Sequence, residues 1–265
     1  MLKLGQQQRK RKLNKIIIII IKYIPFALLL LFLIMTISYG SYSSGQGMKN
    51  KYDKYIYAAT STEEPQQQLN NLSLSNLIQK GSPYLGNPST APITIIDFSD
   101  FQCYLCARYV KATEPLIKEA YIQTGKVVLI FKHLPNRGSD SMGASVAAQC
   151  TNDQGKFWDF HKLLYENQKP IDSGWVSKDN LKKLAAKIPE LDINKFNLCF
   201  EGQKYESFVE QDVALAASLF GFHDTPSFVI VNSKDGSNPE ILKGAHPFPS
   251  FKAIIDKKLA EVEKK

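Results

Sequence analysis

Cys103 and Cys106 stand two residues apart, a spacing that lets two thiols on one helical turn close and open a disulfide. An apolar, β-branched run at residues 93–98 ends shortly before the first sulfur, and helix-spaced apolar residues follow it, so Cys103 is expected at a helix start. There, unpaired backbone N–H groups and the helix dipole favour a thiolate. Cys103 is then the attacking sulfur, and Cys106, one turn further in and less exposed, the resolving one. The same spacing is half of many zinc sites, which need two further ligands, usually in a second tight cluster. His133, His161, His223 and His246 are isolated and no second C-x-x-C exists, so neither a metal nor a cofactor is expected. Cys150 and Cys199 are distant singletons. A Thr225-Pro226 dipeptide directly precedes another apolar run, where a trans proline at a strand entrance is the plain reading.

Those residues need a scaffold. Residues 93–98 and 127–131 read as buried strands, with a helix between them over 104–124 that Pro115 should kink and Gly125 should end. Helical periodicity follows at 141–150, 157–167, 178–188, 193–200 and 205–220, with Asp192 placed as an N-cap. Strand character returns at 228–231. Turn residues at 234–237 lead to a partner strand at 241–242, and residues 249–263 form a closing amphipathic helix. Two β-α-β-type ends therefore flank a helical insertion, at about 139–220.

The net charge of +8 is local. Lys3, Arg9, Lys10, Arg11, Lys12, Lys15 and Lys22 supply seven of the surplus positive charges, with no acid among the first 22 residues. The basicity belongs to a tail, and no nucleic-acid surface is expected on the remainder. Residues 1–15 read as a basic cytoplasmic tail and 16–38 as a transmembrane anchor, since the 22 positions from Ile16 to Ile37, at about 1.5 Å each, span roughly 33 Å and match a bilayer core of about 30 Å. A cleaved signal segment is the alternative. Either way the rest of the chain is expected outside the cytoplasm, in a single-pass protein. Residues 39–91, rich in Ser, Gln, Asn, Lys and Tyr, read as a flexible stalk before a domain at 92–264.

Several stretches together resemble the DsbA-like branch of the thioredoxin superfamily. They are Asp97-Phe98-Ser99-Asp100-Phe101-Gln102-Cys103 with Cys106, Ala147-Ala148-Gln149-Cys150, Gln154-Gly155-Lys156-Phe157-Trp158-Asp159-Phe160-His161, Phe196-Asn197 with Cys199, Thr225-Pro226-Ser227-Phe228 and Lys243-Gly244-Ala245. The likeness covers about residues 91–264. It implies an α/β thioredoxin-like fold interrupted by an all-helical domain, with Pro226 in cis facing the cysteines. Thr225 and Pro226, with Tyr104 and Leu105, would hold a substrate peptide. Asp97 matches a buried acidic position that moves the proton of Cys106, against a plain strand-end residue, and Lys132 is either its partner or an exposed lysine. Cys150 and Cys199 match a second, structural disulfide, against two buried thiols.

The resemblance implies an extracytoplasmic thiol:disulfide oxidoreductase that introduces disulfides into reduced or misfolded exported proteins. It would be reoxidised by a membrane partner of the DsbB or VKOR kind. A reductase or isomerase, or a peptide-binding chaperone, are the alternatives. Two departures bear on oxidising power. The inner dipeptide Tyr104-Leu105 has no imidazole, and the charge of Asp224, just before Thr225, is expected to raise the pKa of Cys103, while neighbouring His223, if protonated, would act the other way.

Overall fold

The computed structural model describes Ile78 and residues 80–264. By its internal contacts the chain divides into residues 1–60 and 61–265, and the described residues all fall in the second unit.

The expected basic tail, anchor and most of the stalk lie outside the described residues. Among the described residues no helix is long and apolar enough to cross a membrane. The described residues form an α/β domain, and the N-terminal membrane helix expected ahead of it finds no support among them. The membrane contact and single-pass localisation expected from that helix are withdrawn with it, as is the DsbB- or VKOR-like membrane partner implied by the resemblance. The physical weakness of that expectation lies at Lys22, which leaves only residues 23–37 as an uninterrupted apolar run. At about 1.5 Å per residue that run is well short of a bilayer core of about 30 Å.

Five strands make one sheet in the order β1-β3-β2-β4-β5: β1 Tyr84–Leu85, β2 Ile93–Ser99, β3 Val127–His133, β4 Ser227–Asn232 and β5 Glu240–Lys243. β2 and β3 run parallel, joined by a helical crossover, while the other pairs are antiparallel. The first strand was not expected. It lies inside the supposed stalk, where Tyr84 pairs with Ile130 and the Phe131 N–H donates to Pro83 O at 2.9 Å. Gly86 turns the chain out of it with φ +92°, and a Cβ there would meet Val127 O at 2.7 Å, so only glycine fits.

β2 is buried along its whole length and its alternation sorts two cores. Ile93 and Ile95 face a layer made with Tyr109, Phe228, Phe251 and Ile255, whereas Ile96 and Phe98 face Ala216, Phe220 and Phe222. By the same period Asp97 belongs to the face of Ile93 and Ile95. On that side lie α1 Tyr104–Ala112 and the closing helix α8 Phe248–Glu263. The expected single kinked helix is in fact broken. Pro115 has no N–H for the carbonyl of Lys111, so α1 stops, α2 Glu114–Ile117 restarts, and a π-helical turn at Lys118–Ile122 leads into β3.

The insertion comprises α3 Ser141–Asn152, α4 Phe157–Glu166, α5 Lys178–Ala185, α6 Ile193–Glu201 and α7 Glu206–Phe220. Asp192 caps α6 by accepting from the N–H groups of Asn194 and Lys195 at 3.0 and 3.1 Å. A disulfide between Cys150 and Cys199 ties α3 to α6 across 49 positions. Closing a loop of that size contributes about 4 kcal/mol by the chain-entropy relation. Val146, Phe157, Phe160 and Phe196 fill this core, which is continuous with Phe101, Cys103 and Cys106.

Candidate active site

Cys103 is the residue that caps α1, in extended conformation, with its N–H donating to Asp100 O at 3.0 Å. Its side chain therefore faces the free N–H groups of the first turn, and those of Leu105 and Cys106 reach the sulfur. Cys103 keeps a narrow solvent edge, 3% exposed, and Cys106 has none. The first sulfur is thus less open than the sequence led us to expect, but the order of access is the one expected. Both cysteines are free thiols.

Cys103 is lowered to about 6. The largest cause is the Cys106 thiol, which donates to the thiolate; burial opposes it, and the Thr225 side chain and the N–H groups of Cys106 and Leu105 assist. Cys106 goes the other way, pushed well above the ordinary thiol range, chiefly by burial and then by its bond and charge relation to Cys103. The two thiols are thereby assigned different states without an imidazole between them.

Asp97 is wholly buried and raised to about 7 by that burial, against a 2.5 Å hydrogen bond donated by Ser99 Oγ and with a small contribution from the charge of Cys103. Its Oδ2 has no hydrogen-bond partner in the protein. Lys132 is not its neighbour. The register sets Asp97 beside Phe131 and Phe98 beside Lys132, which sends Lys132 to the opposite face, where its Nζ lies 2.7 Å from Asp212 Oδ1 of α7 with both side chains fully buried.

The Thr225–Pro226 bond is cis, and Cys103 Sγ lies 3.2 Å from Thr225 O. Tyr104, 72% exposed, projects beside this edge, and Leu105 is half-buried. Asp224 is exposed and paired with Arg137 at 3.0 Å, so its charge is offset by the guanidinium. The sequence reading did not foresee that pairing.

Other residues that hold this edge were missed altogether. Asp100 accepts the N–H groups of Gln102, Asn136 and Arg137 and the Ser141 hydroxyl, all within 2.8 Å. Asn136 Nδ2 in turn donates to His223 O at 2.7 Å, joining the loop after β3 to the one carrying Thr225. Gln168, just past α4, donates to the carbonyls of Phe101 and Cys103 at 2.8 and 3.0 Å. Asp100 and Gln102 stood in the quoted stretch before Cys103, yet nothing in their spacing marks them as organisers. Among the described residues no group of three or more His, Cys, Asp or Glu side chains is arranged to hold a metal ion.

Set beside known proteins, residues 78–257 match a family profile described as Thioredoxin. A probable disulfide bond formation protein D of Bacillus cereus is 33% identical over 172 residues, 64% of this chain and 75% of that protein. Disulfide bond formation protein D of Bacillus subtilis is 27% identical over 182 residues, 68% of this chain and 78% of that protein. Among solved structures, BdbD from Bacillus subtilis superposes with a TM-score of 0.60 at 27% identity, covering 68% of this chain and 94% of its own. Wolbachia pipientis alpha-DsbA1 does so with a TM-score of 0.62 at 28% identity, covering 72% and 100%. The chain accordingly belongs to the thioredoxin family, as a DsbA-like thiol:disulfide oxidoreductase with a helical insertion.

Proposed function

We propose that this oxidoreductase works as a donor of disulfides to exported proteins, with Cys103 as the exchanging sulfur and Cys106 as the resolving one. In the oxidised protein a substrate thiolate attacks Cys103, forming a mixed disulfide and breaking the Cys103–Cys106 bond. Cys106 leaves as a thiolate and takes the proton of Asp97. A second substrate thiolate then attacks the substrate's own sulfur in the mixed disulfide and expels Cys103 as a thiolate. Two electrons pass from the substrate dithiol to the protein, which ends with Cys103 ionised and Cys106 protonated.

The observation that carries the direction is the separation between the two thiols. A Cys103 held at about 6 is a good leaving group and stabilises the reduced form, both of which favour giving the disulfide away. The two relatives named for disulfide bond formation support the same direction. Thr225, Pro226, Tyr104 and Leu105 fit the role of substrate contacts, because the Thr225 backbone adjoins the reacting sulfur and can pair with an extended peptide. Oxidative refolding of a reduced, multi-thiol secretory substrate tests the proposal. The oxidised protein should supply disulfides stoichiometrically and Cys103→Ser none; equal refolding by the variant would overturn it.

A further inference from the structure

Beside Asp97, one side of the sheet holds three further polar groups that the exchange steps do not account for. Asp97 lies in register between Phe131 of β3 and Phe228 of β4. Tyr109 of α1 packs on Phe228 with ring centroids 4.6 Å apart, and His161 of α4 packs on Phe131 at 5.5 Å. Both therefore cover the face that carries Asp97. Glu114, at the start of α2, reaches the same place, its Oε2 3.9 Å from His161 Nε2. Asp97 Oδ2, Tyr109 OH, Glu114 Oε2 and His161 Nε2 are all buried with no hydrogen-bond partner in the protein. Buried polar atoms are nearly always paired, so four on one face point to a role beyond packing.

This group has an opening. A pocket of about 390 Å³ lies between α1 and α4, lined by Glu114 and His161 together with Val110, Pro115 and Trp158. Glu114 bridges inside and outside: its Oε2 is buried, yet the side chain as a whole is 13% exposed. Resting on the exchange reaction proposed above, we propose that Glu114 supplies protons to Asp97 from water in this pocket, so that the leaving sulfur of Cys106 is protonated from the α1–α4 side. Cys106 takes the proton of Asp97, the Asp97 carboxylate takes that of Glu114, and water at the pocket mouth reprotonates Glu114. Glu114 touches no substrate and acts through Asp97, as a positioning residue for the proton.

Its acidity suits the task. Burial, and then the charge of Asp97, raise Glu114 to about 8, against Lys118, so it still holds a proton where Asp97, at about 7, has begun to lose its own. Lys111 of α1, Lys118 of the π-helical turn, and Lys162, Tyr165 and Glu166 of α4 are the other titratable groups lining the pocket, and α8 contributes none to it. His161 is lowered to about 3 by burial and then by His133, and is neutral throughout the working range.

The test follows reduction of the oxidised protein by dithiothreitol through intrinsic tryptophan fluorescence, with rates corrected for the thiolate fraction of the reductant. The wild-type rate should hold to about pH 8 before falling. In Glu114→Gln the break should move down to about pH 7, with about a tenfold loss at pH 8 and little at pH 6. Glu114→Asp should restore part of the loss. An unchanged break, or slowing by the same factor at every pH, overturns the inference while wild-type exchange leaves the functional reading intact. No exchange by the wild-type protein overturns both. Should Glu114→Gln fail to fold, carboxyl-carbon NMR of the wild-type protein decides: Glu114 titrating above pH 7 and responding to Asp97→Asn supports the inference, and titration in the ordinary carboxylate range overturns it.

Discussion

Cys103 Sγ and Thr225 O lie 3.2 Å apart although 122 positions separate them in the chain. That contact brings the start of α1 against the loop that enters β4, and it puts the Thr225 side chain among the groups that favour the Cys103 thiolate.

Replacing Thr225 with valine keeps the shape and removes the hydroxyl. The Cys103 titration, read from thiolate absorbance, should move upward, back toward the ordinary thiol value, by a fraction of a pH unit, since the larger Cys106 hydrogen bond remains. An unchanged titration would show that the hydroxyl does not act on the sulfur.

Asp97 stabilises the exchange chemistry at a cost to the fold. Its folded-state pKa of about 7 exceeds the ordinary 3.8, so between those values the folded protein binds more protons than the unfolded chain, and stability falls as pH rises through that window. Asp97→Asn should therefore melt higher than wild type at pH 8, by up to about 4 kcal/mol, with the gap closing toward pH 4. It should also slow thiol exchange. Equal melting at pH 8 would mean that the carboxyl is not held in an apolar setting.

Lys132 and Asp212 form a buried ion pair between the sheet and the last helix of the insertion, and Asp212 Oδ2 also accepts the His133 N–H at 3.0 Å. Asp212→Ala leaves the ammonium uncompensated. Chemical denaturation should show a loss of about 3–5 kcal/mol. A loss below about 1 kcal/mol would be the behaviour of a solvated pair instead.

Much of this was legible in the sequence because it rests on local pattern. The apolar run of β2, the two cysteines at a helix start, the turn after β4 and the N-cap Asp192 are each written within a few residues. What was not legible depends on register and distance. Whether Lys132 meets Asp97 or Asp212 is decided by the parity with which β3 pairs with β2, and one residue of slip would reverse it. Glu114 looks like an ordinary acid in the first turn of a helix before Pro115. Only the packing of α4 against α1 makes it a lining residue of a pocket. The pair Tyr84–Leu85 is too short to announce a strand, and its pairing comes from the β3 edge it lies against. The membrane helix was read from span length alone, and no such helix stands among the described residues.

The equilibrium of the Cys103–Cys106 disulfide with glutathione tests most directly whether a stabilised Cys103 thiolate drives disulfides outward to substrates. A protein poised as described should titrate well above thioredoxin, at about −200 mV or higher. A midpoint near the thioredoxin value of about −270 mV would contradict the account.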